Sequence, residues 1–599
     1  YTGSLSIADG ESQDLVESGD GAGDGLVEWG AGRVRYGSDE TTTRFSAGLG
    51  GGVYAVFRER PEISIEADDQ TITYGEKPSL SVLRNGNTEH GDSLAQAIPG
   101  IGSAITVKQT GTDVTVTADD NGTAYFDFGS YDLVTDEVTD SALGYKVNND
   151  TENKTLTVNK RDLLIKANND AKFSIETEDP AGYNGITLSG IAEGEKIVVL
   201  QDGDTYTDAE GSTVTINSTT AGKAFLLSGA TAGDSVDLQQ ATHHEIGTLT
   251  LDRAQTGTDR DGGPASGNEV GTYVLNLDTA DVAGGENSSL DLSNYNTTEK
   301  AGTFTIVPAN ELLVTTKTTP EFIYGDTRDY TPSDVTAQYV NQSLDITGIG
   351  TGVKSGDVLT QGDLSGLVVE VTEDTTNDKT TLKLSNVTGT GDFTEASADI
   401  DDGTETETSI TTIDIASVND AVVDTVALTD PGGNTFEFGV GGQTLSFDVA
   451  ENKAPEGQPR TASTASENLD VGIYDLMSTN VTEGADQVAS AVNVVGNARI
   501  TPRELTLSAS KVYDGENSAT ITLGNLVDNE TLGQDDVTLS SPNAGDRYVT
   551  AMQLLDGANG GKASNYKLPD LSIRSVSNEV DIARRAIAIQ AEKTYDGSA

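Results

Sequence analysis

The sequence predicts an all-β chain of tandem Ig-like β-sandwich repeat domains in an extended array. Three observations carry this. Apolar and polar residues alternate with period two in many short runs, turn residues separate those runs, and an ordered set of landmarks recurs along 599 residues. A length of that order is too great for one core and accommodates several domains of about 100–150 residues each.

The alternation is clear in Ile105-Thr106-Val107, Val114-Thr115-Val116-Thr117, Leu156-Thr157-Val158 and Val214-Thr215-Ile216. A strand with one buried and one wet face reads this way. No long stretch shows the 3.6-residue period of a helix. Gly, Asn and Asp between the runs supply the backbone conformations of tight turns.

The landmarks keep one order. First comes a polar or basic connector leading into an apolar strand: Arg58 to Ile65, Asn159 to Ile165, Val307 to Val314, Ile500 to Leu507 and Ile582 to Ile589. Next comes a tyrosine turn: Tyr74-Gly75, Tyr183-Asn184-Gly185, Tyr324-Gly325, Tyr513-Asp514-Gly515 and Tyr595-Asp596-Gly597. Later come Gly-x-Tyr, as Gly129-Ser130-Tyr131, Gly271-Thr272-Tyr273 and Gly472-Ile473-Tyr474, with a looser copy at Gly545-Asp546-Arg547-Tyr548. A closing strand follows at Tyr145, Tyr295 and Tyr566. Self-similarity at this scale marks a repeat architecture.

These landmarks divide the chain into repeats at 59–160, 161–308 (with an insertion), 309–502 (one large unit or two) and 503–583, with the start of a further repeat at 584–599. Residues 1–58 lack the tyrosine turn. Their glycine-broken strands predict the end or cap of a β-solenoid against which Trp29 packs. The acidic run 399–407 is expected at a junction, and 451–468 as a long loop.

The ordered landmarks from about residue 60 onward resemble the MBG and YDG repeat regions of filamentous-haemagglutinin-type bacterial adhesins. The likeness is clearest in Ile65 to Gly75 and Ile500 to Gly515. It implies a secreted, extracellular or cell-surface adhesin of biofilm-matrix type, exported by an outer-membrane partner transporter (two-partner secretion), with exopolysaccharide or a cell-surface glycan as partner. Self-association into a filament, or service as accessory modules of a carbohydrate-active exoprotein, are the alternatives.

Charge narrows the partners. A formal net charge of −60 repels phosphate backbones, so nucleic acid is not an expected partner. No run approaches the 18 or so apolar residues of a spanning helix, so no membrane insertion is expected in this segment. With no Cys, thiol catalysis, disulfides and zinc–thiolate sites are excluded. His90, His243 and His244 are the only imidazoles. His243-His244-Glu245 begins a zinc-protease phrase but Thr248 stands where its second His is needed, so the pair is expected in a solvated loop and the chain is not expected to be an enzyme.

Calcium is the cofactor to consider. Hard cations take several oxygens from one turn. Asp202, Asp204 and Asp208, then Asp259 and Asp261, then Asp399 and Asp401 form such acidic turns, though none follows the EF-hand spacing.

Overall fold

In a computed structural model the chain folds into consecutive β-sandwich units. The structure describes residues 154–586 apart from 209, 229–235, 238–242, 283–288, 317, 402–410, 456–457 and 484–487, parts of 62–150, and six short strands before residue 58. The solenoid expectation, with the packing of Trp29, lies outside the described residues, as do His90, Tyr145 and the repeat start at 587–599. Among the described residues the one helical element is a 3-10 turn at Ala563–Asn565, and no helix is long and apolar enough to cross a membrane.

Each unit is built around the same device. Its first strand breaks into two halves that join different sheets, and each half pairs in parallel with half of the unit's last strand. In the first unit Glu62–Glu66 pairs with Lys146–Asp150, and Gln70–Thr73 with Lys154–Asn159. In the second, Arg161–Ala167 pairs with Tyr295–Lys300, and Asp170–Phe173 with Gly302–Val307. In the third, Leu312–Thr316 pairs with Val492–Val495, and Glu321–Ile323 with Asn497–Thr501. In the fourth, Arg503–Glu504 pairs with Tyr566–Lys567, and Thr506–Val512 with Asn578–Ala583. Alternation drives this: in Asn578–Ala583 every second residue is buried, and Val580 and Ile582 fill the core.

The Gly-x-Tyr landmark is a tyrosine corner. Tyr131, Tyr273 and Tyr474 each donate their hydroxyl to the carbonyl four residues back, on Asp127, Glu269 and Asp470, at 2.9, 2.8 and 2.8 Å. In the fourth unit Arg547, not Tyr548, takes this place: its Nε donates to the Asn543 carbonyl at 2.9 Å.

Residues 309–502 form one sandwich with a lobe inserted into it. The strand Val335–Thr347 starts in the sandwich and ends in the lobe, where it pairs with both Lys379–Thr388 and Thr411–Val418. Leu364–Asp374, Val358–Gln361 and Ser397–Asp401 complete the ring, so the lobe is a closed six-stranded antiparallel barrel. Closure leaves no sheet edge within it. Leu344, Ile346, Leu359, Val368, Leu382, Leu384, Ile400 and Ile415 fill its interior. The acidic run expected at a junction therefore begins in a barrel strand.

Interdomain joints as the candidate functional site

Among the described residues no carboxylate cluster stands out, and the chemistry that repeats is at the boundaries between units. Among the described residues no three His, Asp or Glu side chains gather as a metal site. The acidic turns are spent on their own loops. Asp204 accepts from the Gln201 N–H at 2.7 Å and Asp208 from the Ser212 N–H at 2.7 Å. Asp259 accepts from the Gly263 N–H at 2.5 Å, while Asp202 and Asp261 are exposed. Asp399 and Asp401 face outward from the barrel, where Asp399 takes the Thr412 hydroxyl at 2.8 Å. Between the first two members of the second acidic turn, Arg260 reaches across a unit boundary to pair with Glu311. His243 and His244 do not lie in a loop. They open the strand His243–Thr258, His243 is buried, and Glu245 pairs with Lys223 at 2.8 Å.

The first joint is a plug and a socket. Tyr74 follows the second half of the first strand, and its N–H donates to the Asn159 carbonyl at 2.8 Å. That bond aims the ring out of the first unit and into the second. Its hydroxyl donates to Glu195 Oε1 at 2.6 Å. The other oxygen of Glu195 takes the hydroxyl of Tyr295, which itself accepts from the Ala192 N–H at 3.0 Å. The two rings meet edge to face, 5.3 Å between centroids. A guanidinium N–H of Arg161, in the connector, donates to the Tyr74 carbonyl at 3.3 Å.

The same joint recurs between the third and fourth units. Tyr324 donates to Glu530 Oε1 at 2.6 Å, and Tyr566 donates to Glu530 Oε2 at 2.6 Å. Tyr566 accepts from the Val527 N–H at 3.0 Å, and the rings meet edge to face at 5.5 Å. Arg503 Nε donates to the Tyr324 carbonyl at 2.7 Å. Both glutamates are buried. A buried carboxylate is costly unless its lone pairs are filled, and here two phenols do so, joined at Glu195 by the Ser228 hydroxyl at 3.0 Å.

Local sequence explains the geometry. Ala192 to Glu195 and Val527 to Glu530 are both turns closed by the fourth N–H on the first carbonyl, at 3.1 and 3.0 Å. The turn puts the small residue and the glutamate on one side. A glycine follows each plug tyrosine, with φ of +90° at Gly75 and +80° at Gly325. A Cβ at Gly75 would lie 2.9 Å from the Ala192 Cβ, and one at Gly325 only 2.2 Å from Val527 Cγ2. Glycine is needed there both for its backbone and for close approach.

Burial raises the phenol pKa of Tyr295 and Tyr324 well above the ordinary 10, and the adjacent carboxylates raise it further. Tyr566 is pushed up to about 12 by burial and then by its bond to Glu530. The joint works with neutral phenols and an acceptor between them.

The middle joint, from second to third unit, is made differently. Ser174 occupies the plug position: its N–H donates to the Val307 carbonyl at 2.9 Å, as Tyr74 and Tyr324 do to theirs. Tyr183, expected to be the turn tyrosine here, instead packs edge to face on Phe304 inside its own unit and donates to Asp179. The contact is apolar, with Ala171, Phe173 and Val307 against Leu313, Val340 and Val495. Around it Asn169 N–H donates to Asn497 Oδ1 at 2.7 Å, Arg499 to the Leu188 carbonyl at 2.6 Å, and Lys166 pairs with Asp475 at 3.2 Å. An exposed pair, Lys77 with Asp570 at 3.7 Å, also brings the first unit to the fourth. Such a pair contributes little in water.

No family model and no curated protein matches the chain. Among solved structures it is similar to the N-terminal eight Ig domains of Down Syndrome Cell Adhesion Molecule, at 9% identity and a TM-score of 0.12, covering 94% of this chain and 66% of that one. It is also similar to the S-layer protein rSbsC, at 13% identity and a TM-score of 0.11, covering 72% and 67%. A third likeness is to Drosophila N-cadherin EC1-4, at 8% identity and a TM-score of 0.11, covering 71% and 100%.

Proposed function

We propose that this chain is a structural stalk segment of a large secreted bacterial surface or biofilm-matrix adhesin, and not an enzyme. The repeated Tyr–Glu–Tyr joint is the observation that supports this reading best. Two joints built from the same residue set, far apart in the chain, are what a protein needs if its task is to hold one domain at a fixed angle to the next. Catalysis would ask instead for a cleft with converging reactive groups.

The stalk acts by reach and by repeated weak contacts that add through avidity. Its partners in this reading are exopolysaccharide or cell-surface glycan. The outer-membrane transporter and the MBG/YDG relationship stand on the sequence resemblance. The dense negative charge keeps neighbouring stalks apart when salt is low.

Small-angle scattering of the chain tests the reading, first in chelator and then in millimolar calcium. With the exposed Lys77–Asp570 contact open, domains about 35 Å across in file give a rod of roughly 150 Å or more. A rod-like profile in low and high salt supports the stalk. A compact profile at every salt concentration, with the first unit held on the fourth, sinks it. Growth of particle length with concentration would favour the filament instead, and stiffening only with calcium would return the acidic turns to a linking role.

A further inference from the structure

Among the described residues, the fourth unit carries the plug of the Tyr–Glu–Tyr joint with no socket seated on it. The Tyr513 N–H donates to the Ala583 carbonyl at 2.8 Å, the bond that aims Tyr74 and Tyr324. Gly515 follows with φ +92°, like the glycines after the other plugs. Arg585 lies two residues beyond Ala583, as Arg161 does beyond Asn159 and Arg503 beyond Thr501. The turn is one residue longer, and the added Asp514 is held by Lys511 at 2.7 Å.

What differs is cover. Tyr74 and Tyr324 are 0% and 3% exposed, whereas Tyr513 is 39% exposed, and Val512 beside it 58%. Among the described residues a Cβ at Gly515 would meet nothing within 4 Å, where a Cβ at Gly75 or Gly325 strikes the next unit. A shallow recess of about 510 Å³, lined by Ser510, Lys511, Asp514, Ser518, Ala519 and Thr520, adjoins the turn.

We propose that Tyr513, Gly515 and Arg585 are the open half of a third joint, and that its occupant is another β-sandwich unit bearing a socket glutamate and tyrosine. This deepens the stalk reading and rests on it. The occupant's chemistry follows from the filled joints. It presents a four-residue turn that starts with Ala or Val and ends with Glu. It begins its closing strand with Tyr, opposite the connector arginine. Sockets of the other kind are refused. In the middle joint the plug is Ser174, and the first pair of the ladder is Leu312 with Val492, where the tyrosine joints have Arg161 with Tyr295 and Arg503 with Tyr566. A phenol hydroxyl driven into Leu312 and Val492 would lose its acceptor. Plug and socket thus form a matched code that decides which unit follows which.

The test extends the full chain. After Ala583, one version carries a copy of residues 502–583 and a second a copy of 160–307, each bringing its own socket in register. Tyrosine nitration by tetranitromethane, read by peptide mass spectrometry, reports cover. Tyr513 is expected to react readily in the 599-residue chain and at least about tenfold more slowly in both extended chains, as Tyr324 does throughout. Replacing the appended copy's glutamate, the counterpart of Glu530 or Glu195, by Ala should restore the reactivity. Tyr513 reacting equally in all versions while Tyr324 stays protected overturns this proposal and leaves the joints intact. Reactivity of both tyrosines would instead overturn the joint as a rigid coupling.

Discussion

The hydroxyl of Tyr324 reaches Glu530, 206 residues further along the chain, at 2.6 Å, the same distance at which Tyr74 meets Glu195. In each case the acceptor also serves a tyrosine of its own unit. Removing the carboxylate strands two buried hydroxyls at once. Glu530→Ala is expected to lose about 2–4 kcal/mol of stability in the fourth unit, with Glu530→Gln in between. Denaturant unfolding with amide exchange checks this. Loss confined to the fourth unit, and release of Tyr324, is the expected pattern; no change would mean that the joint carries no energy.

Alkali should open the joints. For Tyr566 the folded-state pKa is about 12 against an ordinary 10.0. Folding therefore favours the neutral phenol, so its stabilising share is full below pH 10 and is lost as pH rises to about 12. Tyr295 and Tyr324 are raised in the same direction. A spectrophotometric titration should show a class of phenols that ionise late and together with unfolding. In Tyr566→Phe the late class should shrink.

Gly325 and Gly515 share a positive φ but not their surroundings. Gly325→Ala adds a methyl that collides with Val527 across the boundary, and Gly515→Ala adds one in open space. Both pay backbone strain of about 1 kcal/mol, but only Gly325→Ala should also uncouple the third and fourth units. Gly515→Val should weaken the fourth unit alone. Separate melting transitions of the two units are the readout.

Arg328 holds a buried ion pair in the core of the third unit. Its Nε donates to Glu451 at 2.8 Å, both groups are buried, and Tyr330 shares the same oxygen at 2.7 Å. Residues 463–467 lie over it, with the carbonyls of Thr464 and Glu467 accepting from its terminal nitrogens at 2.6 and 2.5 Å. Arg328→Met leaves Glu451 buried without its counter-charge, and about 3–5 kcal/mol should be lost. A thermal melt of the third unit measures it.

Replacing Asp170 should have the opposite effect to replacing Arg328. Burial raises its pKa to about 6, against 3.8 ordinarily. The folded chain holds the proton longer, so this residue's contribution is best below pH 4 and worsens as pH rises through 6. Asp170→Asn should therefore stabilise the second unit at neutral pH by about 1–2 kcal/mol and make little difference at pH 4. Equal effects at both pH values would show that the burial is relieved by other means.

The sequence made parts of this structure legible and left others hidden. Period-two alternation gave the strands, the three Gly-x-Tyr corners were visible because each bond spans only four residues, and Tyr74 and Tyr324 were visible because each stands beside its turn glycine. Tyr183 misled for the converse reason: a tyrosine before Asn-Gly looks like a plug, but only the backbone bond to the closing strand defines one, and Ser174 makes it. Glu195 and Glu530 were missed because acidic residues are abundant and their partners lie in other units. The signal was present in Ile191-Ala192-Glu193-Gly194-Glu195 and Leu526-Val527-Asp528-Asn529-Glu530, two turns with one spacing. The barrel in the third unit was illegible because its closure rests on pairings such as Leu344 with Leu382 and with Val418, which no local pattern encodes.

The parallel pairing of first and last strands in every unit sets how the chain bears a pull. Tension enters at the start of Thr506–Val512 and leaves at the end of Asn578–Ala583, two strands that lie side by side and run the same way. The load therefore slides one strand along the other, and the hydrogen bonds between them must fail together, not one after another. A unit loaded in shear resists force far better than one that can be unzipped from an end, and since each of the four described units repeats the arrangement, the chain would resist extension through the same clasp wherever along it the strain fell.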